Sequence, residues 1–182
     1  MVARRYGARV TWLPFDLHPE YPPEGIDRER LRRRYGPGID EALARRMEAA
    51  GLPFTLSEHI PNSRHALRVT ELARDQRLHE PLHDRLMDAY WGRGEDIGDP
   101  GVVRMHALDV GLAADDVDDV LASDRYLDRV TASTQEAASI GVSGVPAFLL
   151  DGKLLVLGAQ PEEVFERGFA QLAAMAEEAE AS

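Results

Sequence analysis

The sequence contains no cysteine among its 182 residues. The chain as printed therefore forms no disulfide, offers no thiolate to a metal ion and performs no thiol catalysis of its own. This absence says little about the cellular compartment, because proteins without cysteine are found in all of them.

Long apolar runs and an excess of positive charge are absent as well. No stretch approaches the ~20 apolar residues of a membrane-spanning helix, and Met1–Tyr6 lacks the apolar region of a signal peptide. The 32 acidic and 21 basic side chains give a formal charge of -11, whereas nucleic acids and anionic membranes are bound by cationic surfaces. We interpret the one basic run, Arg28–Arg34, as a solvated helix face. The sequence thus predicts a soluble cytoplasmic protein without a nucleic-acid or membrane partner.

The predicted elements follow the order strand, long helical middle, hairpin, helix. β-Branched and aromatic residues at Arg9–Phe15 predict a strand, which the following prolines end. Asn62 and Ser63 are expected to cap the helix that follows them, and Asp99 to cap a helix with proline in its first turn. The predicted helices of the middle are 27–34, 39–50, 62–77, 80–91, 99–110, 115–121 and 124–140.

A hairpin is predicted near the end of the chain. Asp151 and Gly152 separate two apolar runs, which predicts a two-residue turn with φ > 0 at both positions. Both arms are almost continuously apolar, so we expect strands that are buried on both faces. Val145 and Pro146 precede the first arm and join it to a helical stretch. A Val-Pro bond at such a place is expected to be cis, a form that costs only about 0.5–1 kcal/mol before proline.

The run from Ile140 to Pro161 resembles the DsbA family of thioredoxin-like proteins, and within it the FrnE-like branch. Four further segments occur in the order of that branch: Phe15–Pro19, Pro61–Leu67, Asp88–Ile97 and Gly111–Leu112. The resemblance covers nearly the whole chain. It implies an α/β fold, a thioredoxin-like sheet with a large all-helical insertion. Residues 1–26 and 140–182 would form the thioredoxin-like part and residues 27–139 the insertion.

The front of the family pattern is missing. Relatives begin with a strand and a Cys-Pro-Trp-Cys helix, and Met1–Gly7 resembles the end of that helix. The first strand is central in this fold, and its loss would leave a gap of ~10 Å between its two neighbours. Three arrangements would close this gap: the two neighbouring strands pair directly, another chain inserts a strand between them, or the natural gene starts upstream and encodes the missing strand. We expect the last. Exposed apolar edges and a homodimer are further expectations.

The resemblance also implies a substrate site at Gly144, Val145 and Pro146. Pro146 would pack against the cysteine pair of a relative, while the Val145 backbone would pair with a bound peptide or with glutathione as an added strand. Gly144 would give the ligand room to approach. Since no cysteine is present, no catalytic residue and no cofactor is assigned.

One motif competes with this interpretation. His79-Glu-Pro-Leu-His83 formally matches the H-E-x-x-H zinc motif. Pro81 belongs in the first helical turn, so the alignment of the two histidines is not assured, and no third ligand lies at a metal-site spacing. We interpret the match as accidental and assign no metal. The remaining histidines are interpreted as structural ones, at positions 18, 59, 65 and 106.

Three functions stay open on the sequence. The first is a thiol-disulfide oxidoreductase of FrnE type, redox-inactive as given because it has no cysteine. The second is a glutathione-dependent isomerase or transferase, of the kappa-class or hydroxychromene-carboxylate isomerase type. The third is a non-catalytic peptide-binding module. Residues Asn62–Arg64 are expected to border the substrate groove. The coding sequence upstream of Met1 would separate the three. A Cys-x-x-Cys motif is expected for the first function, a lone Ser or Cys for the second, and a stop codon for the third.

Overall fold

Helices dominate the computed structural model of the protein, which describes residues 5–180. The predicted helices are present within a few residues of their expected bounds. The helices are α1 (Glu29–Tyr35), α2 (Ile39–Ala49), α3 (Arg64–Asp75), α4 (His79–Met87), α5 (Pro100–Asp109), α6 (Ala114–Ala122), α7 (Leu127–Ser139) and α8 (Glu162–Glu180). A π-helical turn, Asp88–Gly92, continues α4. The strands are β1 (Ile26–Asp27), β2 (His59–Ile60), β3 (Ala147–Leu150) and β4 (Leu154–Leu157).

The described chain divides into two units. One comprises the residues up to Leu13 together with those from Gln135 onward, and the other is Pro14–Thr134. The division into a thioredoxin-like part and an insertion at residues 27–139 stays a prediction. Of the expected helix end at Met1–Gly7, residues 1–4 lie outside the described residues.

The Pro14–Thr134 unit has an apolar core built by α3, α4, α5 and α6. Apolar residues recur on one face of each of these helices, as expected when a helix buries a single stripe. Leu72, Leu82 and Leu86 are the largest apolar side chains that are fully enclosed. The core also contains Ala66, Val69, Ala73, Ala89, Ile97, Val103, Ala107, Leu112, Val117 and Val120.

A buried ion pair joins the start of α1 to α2. The Arg28 side chain is 3% exposed and donates to Asp40 at 3.0 Å, while the Nε of Arg32 donates to the other Asp40 oxygen at 2.7 Å. Arg32 also donates two bonds to Glu58, both 2.7 Å long. The prediction of a solvated face was therefore wrong for Arg28, because a charge that finds a paired partner can be enclosed.

The loop before β1 is held by the first residues of α3. Asn62 donates from its amide to the carbonyls of Tyr21 (3.0 Å) and Pro22 (3.3 Å), and its Oδ1 accepts from Arg64 N at 3.1 Å. Arg64 donates to Asp16 at 2.9 Å and also to the Pro19 carbonyl. Asn62 thus caps the helix as predicted, whereas Ser63 makes no side-chain cap bond.

The other unit contains the predicted hairpin, β3 and β4, and α8. Asp151 and Gly152 both have positive φ (51° and 65°), and Lys153 N donates to the Leu150 carbonyl at 3.0 Å. The first residue pair of the β3–β4 ladder is Leu150 with Leu154, so Lys153 lies between the turn and β4. Such a turn matches the right-handed twist of the strands that it joins, which is why Asp-Gly predicts it.

One face of the hairpin packs on α8 and the other stays open. Phe148 contacts the Phe165 ring edge-on at 5.0 Å, and a Cβ added to Gly168 would lie 2.9 Å from Leu150. Leu149 and Leu157, on the opposite face, are 52% and 42% exposed. The expectation of burial on both faces was therefore wrong, because within this unit the hairpin is covered on the α8 side.

The strand predicted at Arg9–Phe15 does not form. These residues have no strand assignment, and Val10 and Leu13 are more than half exposed. A strand exists only through its ladder to a neighbour. Within residues 5–180, β3 pairs with β4 alone, so the central strand that would join Arg9–Phe15 to β3 is absent from the described part.

We expect the Asp40 ion pair to make stability depend on acid. Burial favours the protonated acid, but hydrogen bonds from Arg32 and Arg28 outweigh it and hold the Asp40 pKa below its usual value near 3.8. A pKa that is lower in the folded state gives stability that is complete above the unfolded-state value and is lost as the pH falls through the folded-state value.

Denaturant unfolding at pH 7 and pH 3 measures this loss. Asp40→Ala should lower the free energy of unfolding at pH 7 by about 3–5 kcal/mol, because Arg28 then stays buried without its partner, and should lose less between the two pH values than the parent chain. Asp151→Asn, at an exposed turn, is the control and should follow the parent. Equal acid sensitivity of the parent and Asp40→Ala would contradict the assignment.

Adjacent substitutions test the anchor of the loop. Asn62→Ala should cost about 1–3 kcal/mol, since a buried amide that serves two carbonyls and one cap bond is removed. Ser63→Ala should change the free energy of unfolding by less than about 0.5 kcal/mol. Thermal or denaturant melts compare the two, and an equal effect of both substitutions would refute the anchor.

Candidate functional site

The predicted site segment, Gly144–Pro146, follows a defined helix end. At the end of α7, Val142 N donates to the Ala137 carbonyl and Gly141 N to the Ala138 carbonyl, each at 3.0 Å. Gly141 has φ +96°, so this is the glycine-ended arrangement that closes many helices. Val142 is buried next to it. The helix end therefore fixes where the site segment begins.

Val145 lies at the surface, and the half-buried Gly144 precedes it. The Val145–Pro146 peptide bond is cis. The Pro146 carbonyl accepts a bond from Gly158 N at 2.8 Å, which ties the segment to the end of β4. Val145 is 57% exposed, and a Cβ added to Gly144 would meet no atom within 4 Å. Pro146 is thus anchored by a hydrogen bond, while Gly144 and Val145 before it leave space for a ligand.

Pro146 leads directly into β3, and the edge of β3 opposite β4 pairs with no strand within residues 5–180. An edge of this kind presents backbone donors and acceptors to any extended chain. The run from Gly141 to Leu150 contains no ionisable side chain. This surface can therefore recognise a ligand through its backbone, the Ser143 hydroxyl and apolar contacts, while general acid–base chemistry needs other groups.

Ser139, the last residue of α7, is engaged in the helix end, whereas the exposed Ser143 directly precedes the segment. Ser139 donates to the Glu136 carbonyl at 2.7 Å. A hydroxyl becomes a nucleophile when a base removes its proton, and the contacts of Ser139 include no such base. The structure thus gives Ser139 a structural role.

A buried histidine cluster was not predicted from the sequence. His106, on α5, is 2% exposed; its Nε2 lies 2.6 Å from Glu95, and its Nδ1 accepts from Arg85 at 3.2 Å. Hydrogen bonds from Arg93 and His106 hold the Glu95 pKa below its usual value. The cluster fastens the segment after the π-helical turn to α5. No motif marks it, because its members come from three separate elements.

The H-E-x-x-H segment forms the first turn of α4. The helix begins at His79, so the rings of His79 and His83 lie nearly parallel, with their centroids 5.7 Å apart. The alignment that Pro81 made doubtful is therefore present. Burial lowers the pKa of both imidazoles. Among residues 5–180, no three His, Asp or Glu side chains come together as a metal site.

The residues expected to border a groove have other partners. The side chains of Asn62 and Arg64 bind the loop at residues 16–22, as described above. Their polar atoms are engaged within the Pro14–Thr134 unit. The contacts seen give this motif an anchoring role for the loop.

Among residues 5–180, no helix is long and apolar enough to cross a membrane. The Tyr6 ring stacks on the Phe169 ring of α8, with their centroids 4.6 Å apart. An ion pair between Arg5 and Glu166 lies beside it.

Comparisons with known proteins agree with this architecture. A probable DsbA oxidoreductase from Streptomyces coelicolor superposes with a TM-score of 0.79 and 30% identity, over 92% of this chain and 76% of that one. A 2-hydroxychromene-2-carboxylate isomerase superposes with a TM-score of 0.67 and 18% identity, over 100% of this chain and 88% of that one, which is a likeness of fold. A comparison with curated protein sequences gave no significant match.

The family assignment rests on the sequence match and on the fold together. The model of the DSBA-like thioredoxin domain family matches residues 1–170. This range contains the hairpin, the Val-Pro segment and the helical unit. The chain has no cysteine and so no thiol chemistry of its own. It belongs to the DSBA-like thioredoxin domain family.

Proposed function

We propose that the chain provides the substrate-binding surface of a cytoplasmic, FrnE-like thiol-disulfide oxidoreductase. An extended peptide that carries a thiol or disulfide binds beside Gly144, Val145 and Pro146 as an added strand. The observation that carries the proposal is the exposed Val145, which runs into β3, whose second edge pairs with no strand within residues 5–180.

The binding mode follows from the chemistry of this surface. Without ionisable side chains between Gly141 and Leu150, main-chain hydrogen bonds supply affinity, and they are independent of the peptide sequence. The open space over Gly144 lets a ligand backbone come close. The exposed Leu149 offers an apolar contact for a ligand side chain. A surface of this kind suits an enzyme that acts on many unfolded substrates.

Thiol chemistry at this surface requires cysteines other than the residues printed for this chain. In the exchange, one thiolate attacks a substrate sulfur, a mixed disulfide forms and the substrate thiolate leaves. A second thiolate then attacks the mixed disulfide, which releases the reduced substrate and leaves the oxidised cysteine pair. The part proposed for Gly144–Pro146 is to hold the substrate disulfide in place.

Glutathione is the second ligand to be considered. The sequence left a glutathione-dependent isomerase open, and the fold likeness to 2-hydroxychromene-2-carboxylate isomerase is at 18% identity. The stronger support is for the oxidoreductase, since the structure at 30% identity is that of a probable DsbA oxidoreductase. A short extended tripeptide would use the same edge as a longer peptide. Both ligands therefore belong in one experiment.

A bulky side chain at residue 144 tests the surface. Gly144→Val should leave the melting temperature unchanged, because the added atoms meet open space, and should weaken binding of a fluorescent disulfide-containing peptide at least tenfold. Gly38→Val is the matched control, since Gly38 also has open space and no positive φ. Fluorescence anisotropy measures both variants. Unchanged affinity of Gly144→Val would overturn the site. Displacement of the disulfide peptide by micromolar reduced glutathione would favour the isomerase-type ligand.

Insulin reduction tests the statement about thiols. With dithiothreitol as reductant, the purified chain should not accelerate insulin precipitation above the uncatalysed rate, because it has no cysteine. A thiol-disulfide oxidoreductase with an intact Cys-x-x-Cys pair serves as the positive control. Catalysis by the cysteine-free chain would contradict the chemistry given above.

The exposed hairpin face supports a further part of the proposal, a homodimer. Leu149 and Leu157 lie on the face opposite α8, and two such faces could bury each other. Sedimentation of the parent chain during the peptide titration shows whether the peptide and the second copy compete for the surface.

A further inference from the structure

An open cavity of about 500 Å³ lies beside α1 in the Pro14–Thr134 unit. Its volume falls in the range of small-molecule sites, about 300–1,000 Å³. Neither the family nor the Val-Pro segment assigns it a role. It is lined by Glu20, Tyr21, Ile26, Arg30, Leu31, Arg33 and Arg34.

The charge of the cavity is opposite to that of the chain. Three guanidinium groups and one carboxylate line it, whereas the whole chain has a formal charge of -11. Within residues 5–180, Arg30, Arg33 and Arg34 form no ion pair. Arg32 on the same helix is instead held by Asp40 and Glu58. The helix thus separates one arginine held by carboxylates from three without an ion pair in the described part of the chain, of which Arg34 also lies over the Tyr35 ring at 5.3 Å.

The walls of the cavity are fixed by contacts that the arginines do not make. The Tyr21 carbonyl is held by buried Asn62 at 3.0 Å, and the Tyr21 ring stacks on His18 at 4.3 Å. Ile26 is buried in β1. Buried Arg28 fastens the start of α1 to Asp40. A site with fixed walls loses less conformational entropy when a ligand binds.

The carboxylate in the cavity limits what can bind. Glu20 accepts a bond from His18 Nδ1 at 3.0 Å, and a backbone hydrogen bond together with His18 holds the Glu20 pKa below its usual value. Glu20 therefore stays ionised at neutral pH. The cavity then carries three positive charges and one negative charge, which favours an anion with more than one charge.

We propose that this cavity binds a small organic phosphate, a phosphate monoester on an apolar ring. Guanidinium groups bind phosphate oxygens through paired, charge-assisted hydrogen bonds. Tyr21, Ile26 and Leu31 supply the apolar contact for the ring. The acidic charge of the whole chain opposes polymeric anions such as nucleic acids, so a small ligand fits better. The proposal is independent of the Gly144–Pro146 surface.

Phenyl phosphate is the probe for an isothermal titration at low salt. It should bind the parent chain saturably, and more tightly than inorganic phosphate, which lacks the ring, or phenol, which lacks the charge. The double variant Arg30→Gln/Arg33→Gln should bind it about a hundredfold more weakly, at about tenfold for each guanidinium removed. Arg45→Gln/Arg46→Gln removes the same charge from exposed positions of α2 that form no ion pair among residues 5–180, and it should bind as the parent does.

The outcomes separate a site from general attraction. Equal weakening in both double variants would mean that only overall charge matters, and it would overturn the proposal. So would the absence of saturable binding to the parent, or equal affinity for inorganic phosphate and phenyl phosphate. Matching melting temperatures of the three proteins confirm that the variants fold. Since the altered side chains are exposed, folding is expected to be preserved.

Discussion

Backbone groups in a β-sheet must find partners, and the unpaired edge of β3 is where this constraint acts in the protein. The same edge explains three features of the unit. Residues 9–15 form no strand because the described part of the chain contains no neighbouring strand with which they could pair. Leu149 and Leu157 stay exposed because the sheet has two strands and one covering helix. The site segment, finally, has an exposed Val145 beside an edge that no strand within residues 5–180 occupies.

Most buried charged groups of the helical unit have partners within it, while Arg68 Nε and His65 Nδ1 are buried without a hydrogen bond among the described residues. Its enclosed arginine, Arg28, is paired with Asp40, and its enclosed histidine, His106, has partners at both ring nitrogens. Arg68, also buried, donates to carbonyls at the end of α6. Charged groups can be buried when each one has a partner at short distance. This unit therefore combines an apolar core with charged anchors, whereas the hairpin unit leaves polar backbone groups at the surface.

Local patterns predicted the local structure well. Asp151-Gly152 specified its turn, Asp99 accepts the cap bond from Gly101 at 2.7 Å, and the helix pieces were placed to within a few residues. Predictions of burial and strand pairing, which depend on packing against other elements, were less successful. The apolar arms of the hairpin look like strands buried on both sides, but burial depends on what packs against them. The His106 cluster was not predicted, because its residues lie on separate elements. The arginines of α1 were predicted as a solvated face, but which of them are held by acidic groups depends on Asp40 and Glu58, which lie outside that helix.

The sequence by itself determined the family through its motifs, the absence of thiol chemistry through residue identity, and the helices and the hairpin turn through short-range patterns. It also singled out Gly144–Pro146 as the place to look. Only the tertiary structure decided which surfaces are open. Whether Val145 is accessible, whether β3 has a second neighbour and which arginines of α1 lack an acidic partner depend on distances between segments that are remote in sequence, and no local pattern contains those distances.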